Sequence, residues 1–353
     1  MTSTERVMTA VAFNRPDRVP YWDDPWGNFL SGWQRWAGVG PEISTADYYG
    51  SDISGEICPD ERFFATRAGV VSSDAGYLYR DDGWGWLVRE PLTGAVVFSE
   101  RIARRLPEGM SLDNLRFDSP EAPERYTLIP GLAAAERRAG RCVFAKSGGI
   151  YCRTQFLYGE EQLLMDMLLE PERVHELMAR VAEFLTTLAL ENLRLTDAWE
   201  TGLWICDDMA GVQAPLFSPE MFAEFLLPLY KTMLGKIRAA GCRHIFFHSD
   251  GNIMPLLELL LEAGFEGFNP LEPRCGMDLP TLRERFGKRM VLFGGVCNTE
   301  ILPRGDRLEI EFHLRPLLEM ARDGGIILGC ASIGDDIAPE IYDFYRKLVT
   351  KYS

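Results

Sequence analysis

The chain has 353 residues, 46% of them hydrophobic, with 52 acidic against 37 basic side chains and a formal net charge of −15. That apolar content excludes a disordered chain, and the acidic balance excludes nucleic acid as the main partner, because phosphate neutralisation needs clustered Lys and Arg. No apolar run nears the ~20 residues of a membrane span, and Glu5 and Arg6 stand where a secretory leader would be apolar, so a cytoplasmic protein is expected.

Residues 14–104 show little helical periodicity and are rich in Gly, Trp, Tyr and Asp. Six of the eight tryptophans lie before residue 87. Asp81–Arg89 reads as a turn entering a strand, and Pro91–Phe98 as the return of a hairpin. From about residue 119 short apolar runs alternate with long amphipathic ones. Strands are predicted at Cys142–Lys146, Gly202–Cys206, Arg243–His248, Gly267–Leu271, Met290–Gly294 and Gly325–Cys330. Helices are predicted at Glu160–Leu169, Glu172–Leu195, Pro219–Ala240, Ile253–Ala263, Leu279–Phe286 and Leu308–Arg322. Ser119-Pro120-Glu121 and Ser218-Pro219-Glu220 each offer an N-cap, a first-turn proline and an early carboxylate. Gly241, Gly264 and Gly287 are placed to close helices.

Strand-then-helix repetition demands a parallel sheet. Six such units, with one or two more near Pro20 and Asp52, predict an α/β chain folded as a (β/α)8 TIM barrel over residues 1–353, with residues 14–104 as an aromatic-rich elaboration. A doubly wound sheet lacks its glycine-rich phosphate signatures. The eight cysteines stand singly without a C-x-x-C pair, so most are expected to be buried thiols rather than a disulfide framework.

A barrel places its site at the C-terminal ends of the strands. His248 and Asp250 are two apart at such an end, so in an extended chain both face one way. Cys330 ends a later strand, and a His/Asp/Cys set with an open position suits catalytic zinc. Glu272 would be a fourth ligand or would support the others; the plain alternative is an Asp250-Gly251 turn. Asp207 and Asp208 form an acidic pair that would orient a ligand or act as general base, unless it only caps a loop. Lys146 would face a carboxylate or simply snorkel, Asn269 ends its strand among the candidate substrate contacts, and Trp22, Trp26 and Trp84 would wall a planar ligand unless they pack a lid. His175, His244 and His313 read as surface or packing residues.

The succession Arg15-Pro16-Asp17-Arg18-Val19-Pro20, Asp82-Gly83-Trp84-Gly85, Asp207-Asp208-Met209-Ala210-Gly211, His248-Ser249-Asp250-Gly251-Asn252, Asn269-Pro270-Leu271-Glu272, Phe293-Gly294-Gly295-Val296 and Gly329-Cys330 resembles the uroporphyrinogen decarboxylase superfamily. That superfamily holds the decarboxylase and the cobalamin-dependent methyltransferases, and it too implies a (β/α)8 barrel. The decarboxylases carry an arginine-rich segment after Val-Pro; here Tyr21–Asn28 is acidic and aromatic, which disfavours a substrate with many carboxylates. The methyltransferases use His-x-Cys and a distant Cys, so His248 and Cys330 match while Asp250 departs from the pattern. The departure implies a harder site, suited to a methoxy oxygen rather than a thiol. The resemblance therefore implies a zinc-dependent methyltransferase of the O-demethylase type. It would move a methyl group from a small methylated donor, such as a methoxylated aromatic, to a cobamide carried by a separate corrinoid protein; a homodimer is a further expectation. A metal-free decarboxylase using Asp207 or Asp208 with Lys146 or Arg153, and a non-catalytic corrinoid- or tetrapyrrole-binding relative, are the alternatives.

Overall fold

Residues 1–93, 99–104, 111–330 and 332–353 are described in a computed structural model of the chain. Helix α1 (Ser3–Val11) opens it behind a capping box made by Thr2 and Glu5. Helices α2 (Phe29–Ala37) and α3 (Thr45–Tyr49) precede strand β1 (Glu56–Ile57). Four strands follow, β2 (Gly69–Ser73), β3 (Tyr77–Asp81), β4 (Trp86–Pro91) and β5 (Glu100–Arg104), and they form their own antiparallel sheet in chain order. Helix α4 (Ile129–Arg138) leads into six strand–helix units: β6 (Phe144–Gly148) with α5 (Ile150–Tyr158), α6 (Glu160–Leu169) and α7 (Pro171–Thr196); β7 (Leu203–Cys206) with α8 (Pro219–Phe225) and α9 (Leu227–Ala239); β8 (Ile245–His248) with α10 (Leu257–Ala263); β9 (Gly267–Leu271) with α11 (Leu279–Phe286); β10 (Val291–Gly295) with α12 (Ile301–Arg304) and α13 (Arg307–Ala321); and β11 (Ile326–Gly329) with α14 (Pro339–Tyr352).

These six strands and β1 form one parallel sheet in the order β1-β6-β7-β8-β9-β10-β11. It curls, because inward side chains from distant strands converge. Phe144, Trp204, Phe246, Phe293 and Ile327 meet Trp22 and Ile53 in one buried cluster, and Val7, Ala10 and Val11 of α1 join them. The Trp204 ring lies 4.5 Å from Phe293, 5.1 Å from Phe246 and 5.9 Å from Trp22. An extended segment, residues 20–25, lies between the first and last strands. Tyr21 bridges Leu328 of β11 in parallel, and its carbonyl accepts the Asp52 amide just before β1. The opening Arg-Pro-Asp-Arg motif anchors this junction: buried Asp52 receives Arg6 at 2.7 Å, Arg18 at 2.7 and 2.9 Å, and the Tyr21 amide at 3.1 Å. The larger apolar cluster packs the outer face of the sheet against its helices.

Some expected boundaries move for local reasons. The helix predicted over Pro219–Ala240 is two, because Pro228 lacks the amide that would bond the Glu224 carbonyl. Pro255 holds Met254–Leu256 in a tighter 3-10 turn before α10 starts. Ser119 caps a turn, accepting the Glu121 amide at 3.2 Å, and the first long helix after it starts only at Ile129. The N-terminal elaboration holds α2 and α3, too short for periodicity to reveal. Part of the predicted hairpin return, residues 94–98, lies outside the described residues. No helix among the described residues is long and apolar enough to cross a membrane.

Candidate functional site at the C-terminal ends of the strands

The parallel register brings Gly148, Cys206, His248 and Asn269 to one level across β6, β7, β8 and β9. His248 closes β8 and turns inward. Its Nδ1 lies 2.6 Å from the Asn269 side-chain oxygen. An amide oxygen can only accept, so Nδ1 carries a hydrogen, and in the neutral ring the lone pair falls on Nε2. Nε2 lies 3.8 Å from Asp208 and 3.9 Å from Asp250. One donor atom from each of these three residues falls within 4.8 Å of the others, the spacing of a site able to hold a metal ion.

Backbone geometry holds the two carboxylates in place. The Asp250 amide donates to Asp208 at 3.1 Å, and the Gly251 amide donates to Glu272 at 2.8 Å. Gly251 has φ +82°, and a Cβ there would meet the Gly211 and Ala210 carbonyl oxygens at 2.6 and 2.7 Å. Only glycine lets the loop after β8 lie on the loop after β7. Ser249 fixes both loops, its hydroxyl accepting the Met209 amide at 3.1 Å. Burial, with Asp208 and Glu272 nearby, raises the Asp250 carboxyl above the usual range, and His248 opposes this. Its side chain is still wetted. It stands at the open end of the curled sheet, the mouth of the site, where β7 and β8 end.

The expected acidic pair divides. Asp207 is fully buried and touches no solvent. It accepts the Cys152 amide at 2.6 Å, the Tyr151 amide at 3.1 Å and the Tyr230 hydroxyl at 2.5 Å, so it clamps the start of α5. Burial pushes its carboxyl up to about 6, against the Tyr230 hydrogen bond and the two amides. A Cβ at Gly149 would lie 2.0 Å from that of Asp207. Asp207 is thus a positioning residue, and Asp208 alone of the pair reaches the mouth.

Of the four metal candidates read from the sequence, His248 and Asp250 fall in one group, and Asp208 joins them there in place of Cys330 and Glu272. Cys330 is buried, with its thiol 3.8 Å from the Val296 carbonyl oxygen and its amide donating to Asp23 at 3.0 Å. Burial, with Asp23 beside it, raises this thiol well above the usual range. Glu272 supports the loop through Gly251 rather than joining the group.

Of the three tryptophans, Trp22 is buried inside the sheet, and Trp84 packs edge-on against Phe63 and Phe156. Trp26 presents its ring, 51% exposed, on the loop after residues 20–25. Lys146 of β6 lies 3.6 Å from Glu56 of β1. Arg153 is occupied by Glu61, at 2.6 and 2.8 Å, while the other Glu61 oxygen accepts the Gly148 amide. Sequence reasoning missed Asp24, whose carboxyl is raised to about 6 by burial and by Glu56, against Lys146 and His248. Its signal was its place at the end of the aromatic, acidic run after Val19-Pro20. His175 stacks on Phe225, His244 bonds Glu266, and His313 accepts the Cys297 amide.

The family model for uroporphyrinogen decarboxylase (URO-D) matches residues 143–341. No curated protein matches the sequence. Among solved structures, a methyltransferase from Methanosarcina mazei superposes with a TM-score of 0.69 at 14% identity, covering 100% of this chain and 99% of that one. At that identity the likeness shows a shared fold.

Proposed function

The chain belongs to the uroporphyrinogen decarboxylase family, and on that premise we propose that it is a zinc-dependent methyltransferase moving a methyl group from a small methylated donor to a corrinoid protein. The observation that carries the reading is the Asp208–His248–Asp250 group at the ends of β7 and β8. One imidazole and two carboxylates are a harder donor set than a thiolate site, and they favour an oxygen-bearing donor such as a methoxylated aromatic. A zinc ion held there would supply Lewis-acid stabilisation of the departing oxygen. The cobamide belongs to the partner protein. We read residues 20–25 as the eighth strand of a closed barrel, and the whole chain as that one domain.

The chain's own residues have separate tasks. Asn269 fixes the His248 tautomer, leaving Nε2 unprotonated toward the carboxylates. Glu272 and Ser249 hold the two loops that carry Asp250 and Asp208. Asp24, raised to about 6, can hold or release a proton beside His248 near neutral pH. Trp26 offers an exposed ring for an aromatic donor to stack on. A metal-free decarboxylase is less well supported, because Lys146 and Arg153 already face Glu56 and Glu61.

Metal content tests this reading. About one zinc per chain is expected in wild type, lost in Asp208→Asn and His248→Ala and kept in Cys330→Ala. Loss in Cys330→Ala would bring the thiol into the set. A wild type that takes up no zinc after reconstitution would overturn the proposal. Methylation of a reduced corrinoid protein by methoxylated aromatics is the matching activity assay.

A further inference from the structure

A cleft of about 540 Å³ lies between the antiparallel sheet and α5, and it shares no residue with the Asp208–His248–Asp250 group. Its floor carries Arg80 of β3 and Arg101 of β5, both paired in register with Val88 of β4. Cross-strand partners share a face, so the two arginines flank Val88 with their Cα atoms about 10 Å apart.

Among the described residues neither arginine has an ion pair or hydrogen bond. Arg101 lies over the Trp86 and Phe156 rings, at 5.1 and 5.8 Å. In a chain with 52 acids against 37 bases, acid partners are plentiful elsewhere. The carboxylates lining the cleft are engaged locally. Asp82 accepts the amides of Trp84, Gly85 and Trp86, Asp81 that of Gly83, and Glu90 the Ser99 hydroxyl at 2.6 Å. One wall is aromatic: Trp84 and Phe156 meet edge-on at 5.2 Å, with Arg153 over both rings behind them.

We propose that this cleft binds a flat aromatic carboxylate, its ring against Trp84 and Phe156 and its carboxylate between Arg80 and Arg101. A guanidinium fork matches a carboxylate in two parallel hydrogen bonds and also stacks on a flat ring. The paired Arg62, bound to Asp60 at 2.6 and 2.9 Å, borders the cleft without competing for the anion. The inference is independent of the methyltransferase reading.

Calorimetric titration of the full chain with benzoate tests it, beside benzamide and inorganic phosphate. Saturable benzoate binding is expected, at least tenfold weaker in Arg80→Gln and in Arg101→Gln, and at least tenfold weaker for benzamide. Ser99→Asp, which adds a negative charge and removes no arginine, should weaken binding similarly. His248→Ala should leave it unchanged. Absent benzoate binding, wild-type affinity in both arginine variants, phosphate as tight as benzoate, or loss confined to His248→Ala would each overturn the proposal.

Discussion

Replacing Asn269 by Leu removes one acceptor and little else. The residue is 1% exposed, and its backbone carbonyl, which accepts the Ser249 amide at 3.0 Å, is untouched. The side-chain oxygen 2.6 Å from His248 Nδ1 is what disappears. Without it the imidazole is free to place its hydrogen on Nε2, the nitrogen facing Asp208 and Asp250. The ring also loses its rotational anchor. Supports of this kind are worth roughly 10–100-fold in metal affinity, or about 1.4–2.7 kcal/mol. Competition with a chromophoric zinc chelator at neutral pH gives the affinity directly. Asn269→Leu should bind zinc 10–100-fold more weakly than wild type, and Asn269→Asp, which keeps an acceptor, should bind within a few-fold of it. An affinity for Asn269→Leu within twofold of wild type, with His248→Ala abolishing binding, would refute the tautomer argument.

Asp207 makes stability depend on pH in a set direction. Its carboxyl is raised from 3.8 to about 6, so the folded chain keeps a proton that the unfolded chain has lost; urea midpoints of the chelated protein should fall as pH rises from about 4 to 6 and level off above, a contribution of about 3 kcal/mol. Tyr230→Phe deletes the hydroxyl that donates to Asp207 and accepts the Ile150 amide; it should cost about 2–4 kcal/mol, more at pH 7.5 than at pH 5, and a loss equal at both would show that the charge of Asp207 is not involved. Gly251→Ala should weaken zinc binding and lower the urea midpoint together, since its Cβ has no room against the Ala210 and Gly211 carbonyls; unchanged affinity would show that the two loops are free to separate. Arg346 is wholly buried and bonds Asp23 at 2.7 Å; Arg346→Met strands that carboxylate and should cost about 3–5 kcal/mol by urea denaturation, whereas a loss under 1 kcal/mol would mean that Tyr342 and Tyr345 satisfy Asp23 without it.

The parallel sheet was legible in the chain because its strands are buried on both faces and separated by amphipathic helices. Gly267–Leu271, Glu160–Leu169 and Leu279–Phe286 have the expected boundaries. Gly264 and Gly287 close their helices as expected, and Gly241 follows the cap of α9. Local turn chemistry sufficed for these, since a cap or a left-handed glycine acts within a few residues. His248 and Asp250 were legible for the same reason, as neighbours at a strand end.

The rest depended on contacts distant in sequence. Which of Asp207 and Asp208 faces the mouth turned on Tyr230, on α5 and on the missing Cβ of Gly149. Trp22 reads like Trp26 in the sequence, yet one meets Trp204 inside the sheet and the other faces solvent. Cys330 matched the family's spacing along the chain, but the carboxylate of Asp208, 3.8 Å from His248 Nε2, comes from just past the end of the neighbouring strand. Composition and periodicity determined the architecture because burial of an apolar face is a local property of the sequence. The tertiary structure decided which side chains stand within a few ångströms of one another, because distances between strands depend on register and on contacts far apart in sequence.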